Sequence, residues 1–313
     1  MRSYIFKLLL SFSILISGAV SLSGQTTYTS AVSGTWSDGS TWIGGVAPGS
    51  TDNAIISEGT IVTISGTDAI INDLTIETGA VVNAENRILT VNGKLLVYGT
   101  YTSENSDAKD LFFNGDSIGG TGFIKTDFAN KEIAISANTV ILPSSDMKVY
   151  GKISLGSDVT ITNKGKIEVT EDINGASATT SIWVNSNNSY LVAGSFPMAT
   201  GILNASLPGN TVEYNKLGDQ TLKLPSASIY HNLVFRGSGN KTLPGAIVVN
   251  GNIEIYNSAI LQGNNFNIDI KGDWTNYSDF VPGTGRVSFT GTVDQVVENP
   301  MIERFYNLRL FKS

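Results

Sequence analysis

The sequence contains no cysteine and one histidine, His231, among its 313 residues. No disulfide can staple it. A zinc site or a Ser-His-Asp or Cys-His centre would need more imidazole or thiolate groups than it has. Charge is sparse: Asp, Glu, Lys and Arg make up 15% of the chain, and the net charge is −7. A chain this acidic repels phosphate backbones, so no nucleic-acid partner is expected. After residue 24, helix-favouring runs of Ala, Leu, Glu and Lys are missing, and no later apolar stretch is long enough to span a membrane as a helix.

What is present points to β structure. Glycine is abundant at 33 residues, Asn, Ser and Thr are frequent, and 41% of residues are hydrophobic. That apolar content is enough for a packed core. Short runs rich in Ile, Val, Leu, Thr and Tyr alternate with turn residues. Examples are Thr60–Ile64, Arg87–Val91, Lys94–Tyr98 and Asn252–Tyr256. Asn92-Gly93, Asn174-Gly175 and Asn250-Gly251 supply residues that tolerate positive φ. Asn-Gly is also a strong hairpin signal, so local antiparallel pairing is a competing reading.

The N-terminus has its own signature. Met1–Lys7 is short and basic, Leu8–Val20 is apolar, and small residues follow to Gly24. This is the pattern of a secretory signal peptide over residues 1–24. Leu22-Ser23-Gly24 looks like the start of a lipobox, but Gln25 stands where the acylated cysteine would be, so a lipoprotein is not expected. Without Arg2 and Lys7 the chain keeps 18 basic residues against 27 acidic ones, a balance of −9.

Two periodicities support a solenoid. The phrase apolar-x-Gly-x-apolar-x-apolar recurs at Val91–Val97, Val149–Leu155 and Val249–Ile255. Strand positions recur about every 20 residues, from Leu74 to Leu95, Leu233 to Ile253 and Ile253 to Trp274. Such a step fits one coil of a parallel β-helix, in which each coil buries its neighbour's apolar face. A longer repeat pairs Val212-Glu-Tyr214 with Val287-Ser-Phe289, Asp219-Gln220 with Asp294-Gln295, and Tyr230–Phe235 with Phe305–Leu310. All three pairs lie 75 residues apart without a gap. The second copy stops soon after Leu310, which suggests continuation into further repeats or a sorting domain in a longer protein. The expected organisation is a signal peptide (1–24), an N-terminal solenoid (25–175), an irregular insertion or linker (176–207) and a C-terminal repeat solenoid (208–313).

The phrases Gly34–Trp42, Gly44–Pro48, Asp52–Ile56 and Gly59–Ile64 resemble the opening of G8-like β-solenoid domains, which are common in secreted surface proteins of Bacteroidetes. The 75-residue unit, with its Tyr-x-Asn-Leu phrase and Gly272-Asp-Trp274, resembles tandem repeats of the same proteins. The resemblance implies an all-β, right-handed parallel β-helix, an extracellular or cell-surface location, and an adhesin-like or carbohydrate-associated role. It implies no catalytic residue and no cofactor.

Candidate chemistry is thin. His231 aligns with Tyr306 between the two copies, which favours a strand position over a functional one. Glu168, Glu171 and Asp172 are the densest carboxylates; a solvated loop is the simpler reading, because a turn follows at Asp172–Gly175. Trp36 and Trp42 flank a Gly- and Ser-rich turn and are the carbohydrate-binding candidates. The competing reading has both indoles plugging the first coil. No metal site or catalytic set is expected. The leading expectation is a non-enzymatic extracellular adhesion or structural module, with extracellular polysaccharide or cell-surface glycan as partner. The alternatives are a carbohydrate-binding accessory module and a polysaccharide-active β-helix enzyme, either lyase or hydrolase.

Overall fold

The computed structural model describes residues 24–103, 109–126 and 132–311. The export segment expected over 1–24 therefore lies, but for Gly24, outside the described residues. The chain is an all-β solenoid of about 12 turns with about 21 residues per turn. Its strands are two to five residues long, and every pairing between them is parallel. Among the described residues the one antiparallel contact is an isolated bridge, Ser30 to Trp42, in the first described coil.

Each coil visits three faces in a fixed order. Among the described residues the long face is one sheet of 13 strands, from Gly34–Thr35 to Val297–Glu298. The second face has nine strands, from Thr27–Thr29 to Ile202–Asn204, and passes through a single bridge, Ala205 to Tyr230, into a five-stranded sheet ending at Asn307–Leu310. The third face has six strands, from Ala69–Ile71 to Ile173–Gly175, and resumes as four strands, from Gln220–Thr221 to Asp279–Val281.

The sequence periodicity is the strand register itself. Leu74 pairs with Leu95, Leu233 with Ile253 and Ile253 with Trp274. Alternation places every second residue inside: Leu74 and Ile76 are fully buried while Thr75 points outward. Stacking of coils then builds inward columns such as Ala54, Leu74, Leu95, Ile118 and Ile141. The column continues into Asn163 and Asn185, which are fully buried and bond to each other, with the Trp183 indole donating to Asn185 Oδ1.

Asn92-Gly93 and Asn250-Gly251 form corners between strands, whereas Asn174-Gly175 ends the strand Ile173–Gly175, and none of these glycines has positive φ. The glycine is needed for another reason. A Cβ at Gly93 would lie 2.1 Å from Asp73 Oδ1, and one at Gly251 would lie 2.2 Å from Asn232 Oδ1. Those Asx side chains reach up from the coil below and cap its neighbour's backbone: Asp73 accepts from Lys94 N, and Asn232 from Asn252 N. At Gly93, between the third and second faces, and at Gly251, between the second and long faces, the phrase thus leaves room for an Asx side chain, whereas Gly151 takes a φ of 144°. Asn252 in turn accepts from Asp273 N, while Asn264 and Asn265 are positive-φ turn residues.

The stretch 176–207, expected to be an irregular insertion, carries strands Ile182–Asn185, Tyr190–Ala193 and Ile202–Asn204. They pair in register with the coils on either side. Its Ser- and Asn-rich composition masks the pattern, although each strand turns a large apolar residue inward: Trp183, Leu191 and Leu203 are each fully buried. Only the third face is irregular here. Phe196–Thr200 bonds to Ile173 and Gly175 without forming a strand, and buried Met198 takes a φ of 60°.

The 75-residue repeat does not match a whole number of coils. Thr211–Tyr214 lies on the long face, whereas its counterpart Arg286–Phe289 lies on the second face. Asn232–Phe235 and Asn307–Leu310 are displaced in the same way. The second copy is therefore rotated by one face about the solenoid axis.

Candidate functional site

The two tryptophans are inside. Trp36 is 6% exposed and Trp42 is 2% exposed, with ring centroids 5.2 Å apart in an edge-to-face arrangement. The Trp42 indole donates to Trp36 O at 2.8 Å. Neither ring offers an open face to a sugar; together they fill the first described coil. Asp38 accepts from Ser40 N, which caps the short 3-10 turn Gly39–Thr41 and lowers the carboxyl's pKa. Asp52 accepts from Thr26 N and Gly49 N, so it too serves a turn.

His231 sits half-buried at the corner between the second and long faces, with its ring against Gly251. Its counterpart Tyr306 is 64% exposed. Beside His231 lies a feature the sequence did not reveal. Tyr214 and Tyr230 are fully buried with their hydroxyls 2.7 Å apart; Lys223 N donates to Tyr214 and Tyr230 donates to Lys223 O. Burial raises both phenol pKa values. In the second copy the pair becomes Phe289 and Phe305, in edge-to-face contact at 5.9 Å.

The outer surface of the long face carries the most organised chemistry. One outward row runs Phe123, Lys148, Glu168, Val192, Glu213, Val234, Glu254, Thr275, Glu298. The neighbouring row runs Lys125, Tyr150, Thr170, Gly194, Asn215, Arg236, Tyr256, Tyr277, at the ends of successive strands. Coil spacing of about 4.8 Å brings these side chains into contact. Lys148 pairs with Glu168 at 2.9 Å and lies 4.7 Å from the Tyr150 ring centre. The Glu168 contact, as hydrogen bond and charge, raises the lysine's pKa. Glu213 accepts from Tyr190 at 2.6 Å and pairs with Arg236 at 3.3 Å. Arg236 lies 4.4 Å over Tyr256, which stacks on Tyr277 at 5.6 Å, and Tyr277 donates to Glu298.

Gly194 interrupts this ladder. A Cβ there would come within 2.4 Å of Thr170 O, so the position is closed to any side chain. The gap opens a solvent-facing notch of about 470 Å³, lined by Glu168, Thr170, Glu171, Gly194, Ser195, Asn215, Lys216 and Leu217. Of the carboxylate cluster read from the sequence, Glu168 and Glu171 line the notch. Asp172 does not; it accepts from Phe196 N at 3.1 Å. Thr170 shares the coil of Glu168, and the remaining lining comes from coils one and two turns further on, which only the register brings alongside.

The notch wall is fixed from behind. Gln220 donates to Ala193 O and Ser195 O and accepts from Lys216 N. Gln295 repeats this in the second copy, with Ile270 O, Gly272 O and Gly291 N. Lys241 is fully buried, and its ammonium donates to Lys216 O, Gly218 O and Ser238 O. Burial, reinforced by the charge of Lys216, pulls its pKa down to about 8.

Among the described residues no three His, Cys, Asp or Glu side chains gather as a metal site, and no helix is long and apolar enough to cross a membrane. In comparisons with known proteins, no family model, curated protein or solved structure matches the chain.

Proposed function

We propose that this chain is a non-enzymatic, extracellular or cell-surface β-solenoid serving as an adhesion or structural module. The observation that carries this reading is the use made of the charged side chains on the long face. Lys148 and Glu168, and Glu213 with Tyr190 and Arg236, are matched coil to coil along the stack. That distribution reinforces a rod instead of converging several groups on one bond. The signal-like N-terminus and the resemblance of Gly34–Ile64 to G8-like surface domains support export. Extracellular polysaccharide or cell-surface glycan is the proposed partner. The notch, with carboxylate, amide, ammonium and aliphatic groups side by side, is where we place that contact.

The test incubates the purified chain with neutral and acidic polysaccharides and follows both retention and release of reducing ends. Retention without release is expected. Release that disappears in Glu168→Gln or Glu171→Gln would establish an enzyme and overturn the proposal.

A further inference from the structure

Lys241 stands where a lysine is costly. In the strand register of the third face it follows Gln220 and precedes Leu261 and Phe280. Leu261 is fully buried and Phe280 is 5% exposed, so this is a core column. A buried ammonium costs several kcal/mol unless its protons are bonded. All three are: to Lys216 O at 2.7 Å, Gly218 O at 2.9 Å and Ser238 O at 2.9 Å. Two of these carbonyls belong to the loop that walls the notch, and the third belongs to the next coil. Converging carbonyl oxygens are the ligand type that weakly hydrated monovalent cations accept in place of water.

We infer that these three carbonyls form a monovalent-cation site, which the chain fills with the Lys241 ammonium, and that its occupancy fixes the loop 215–219. The site lies where the third face resumes after the strandless segment Phe196–Thr200, so no strand of the preceding coil pairs with Gln220–Thr221. Lys216 and Asp219 are the charged groups whose fields reach it. The inference concerns how the notch is held in shape and does not depend on what binds there.

The experiment follows amide exchange in Lys241→Ala and Lys241→Met. The reporters are Lys216, Gly218 and Ser238, whose amides bond to Gln220, Ser238 and Lys216. In Lys241→Ala they should exchange on the order of tenfold faster, the cost of leaving a buried carbonyl unpaired. Ammonium or potassium chloride should restore slow exchange, and tetramethylammonium chloride at equal ionic strength should not. Lys241→Met keeps the core filled, so it folds even if the alanine variant does not. It should exchange as fast as the alanine variant and resist rescue, because its methyl occupies the cradle. Wild-type exchange in Lys241→Met, or equal restoration by tetramethylammonium, would overturn the inference.

Discussion

The two copies of the 75-residue unit place matching residues in different surroundings. In the first copy Leu233 and Phe235 are fully buried beneath Ile253 and Ile255. In the second, Leu308 is 52% exposed and Leu310 is 73% exposed. The first copy's strand Asn232–Phe235 belongs to the long face, the second's Asn307–Leu310 to the second face. Two devices nonetheless survive the rotation: the glutamine that ties a corner to the coil below, and the aromatic pair near it. The unit that is duplicated is therefore a corner with its strands, and the face it occupies is set by how many residues precede it.

The largest expected contrast tests that difference in burial. Leu233→Ala should destabilise by about 2–5 kcal/mol, as for a well-packed core leucine. Leu308→Ala should stay within about 0.5 kcal/mol. Denaturant midpoints at constant slope measure both, and similar losses would mean that Leu308 is covered in solution. Next come the corner glutamines. Gln220→Ala removes three hydrogen bonds from a 4% exposed side chain, with an expected cost of about 2–3 kcal/mol. Gln295→Ala makes the same deletion at a half-buried site and should cost about half as much by the same measurement.

The aromatic pair gives a smaller effect. Tyr214→Phe or Tyr230→Phe alone should cost about 1–2 kcal/mol, because a buried polar partner is left unpaired. Changing both recreates the Phe pair of the second copy and should cost less than the two singles together. Additive losses in a double-mutant cycle would mean that the hydroxyls act independently. The titration of Lys241 gives a contrast in pH instead of in sequence. Its folded pKa of about 8 lies below the ordinary 10.5, so the unfolded chain holds the proton more tightly. The wild type should therefore gain stability relative to Lys241→Met as pH rises from 8 to 10. Identical pH profiles would place the ammonium in water.

Most of the coil was legible because a solenoid converts sequence separation directly into register: the 20- and 21-residue steps are the pairs Leu233–Ile253 and Leu74–Leu95. The repeat phrase was legible, but the reason for its glycine was not, since the Asx side chain that excludes a Cβ lies one coil away. The stretch 176–207 hides its coil pattern because Asn185, a polar residue, occupies an inward position there. The tryptophans were visible as residues, yet only burial distinguishes a plug from a ligand platform. The notch was half visible. Glu168 and Glu171 stood out as charges, whereas Gly194, Asn215 and Lys216 join them only through pairing of Val169 with Ala193 and of Ala193 with Tyr214.

The rotation of the second copy is tested most directly by disulfide formation, and a chain without cysteine is well suited to it. Strand neighbours in adjacent coils lie within disulfide reach. The register pairs Ser288 with Asp269 on the second face. An unrotated copy would instead carry Arg286–Phe289 on the long face, after Trp274–Asn276, and bring Ser288 to Thr275. Asp269→Cys with Ser288→Cys should cross-link on mild oxidation, and Thr275→Cys with Ser288→Cys should not. Efficient cross-linking of the second pair with none in the first would contradict the account.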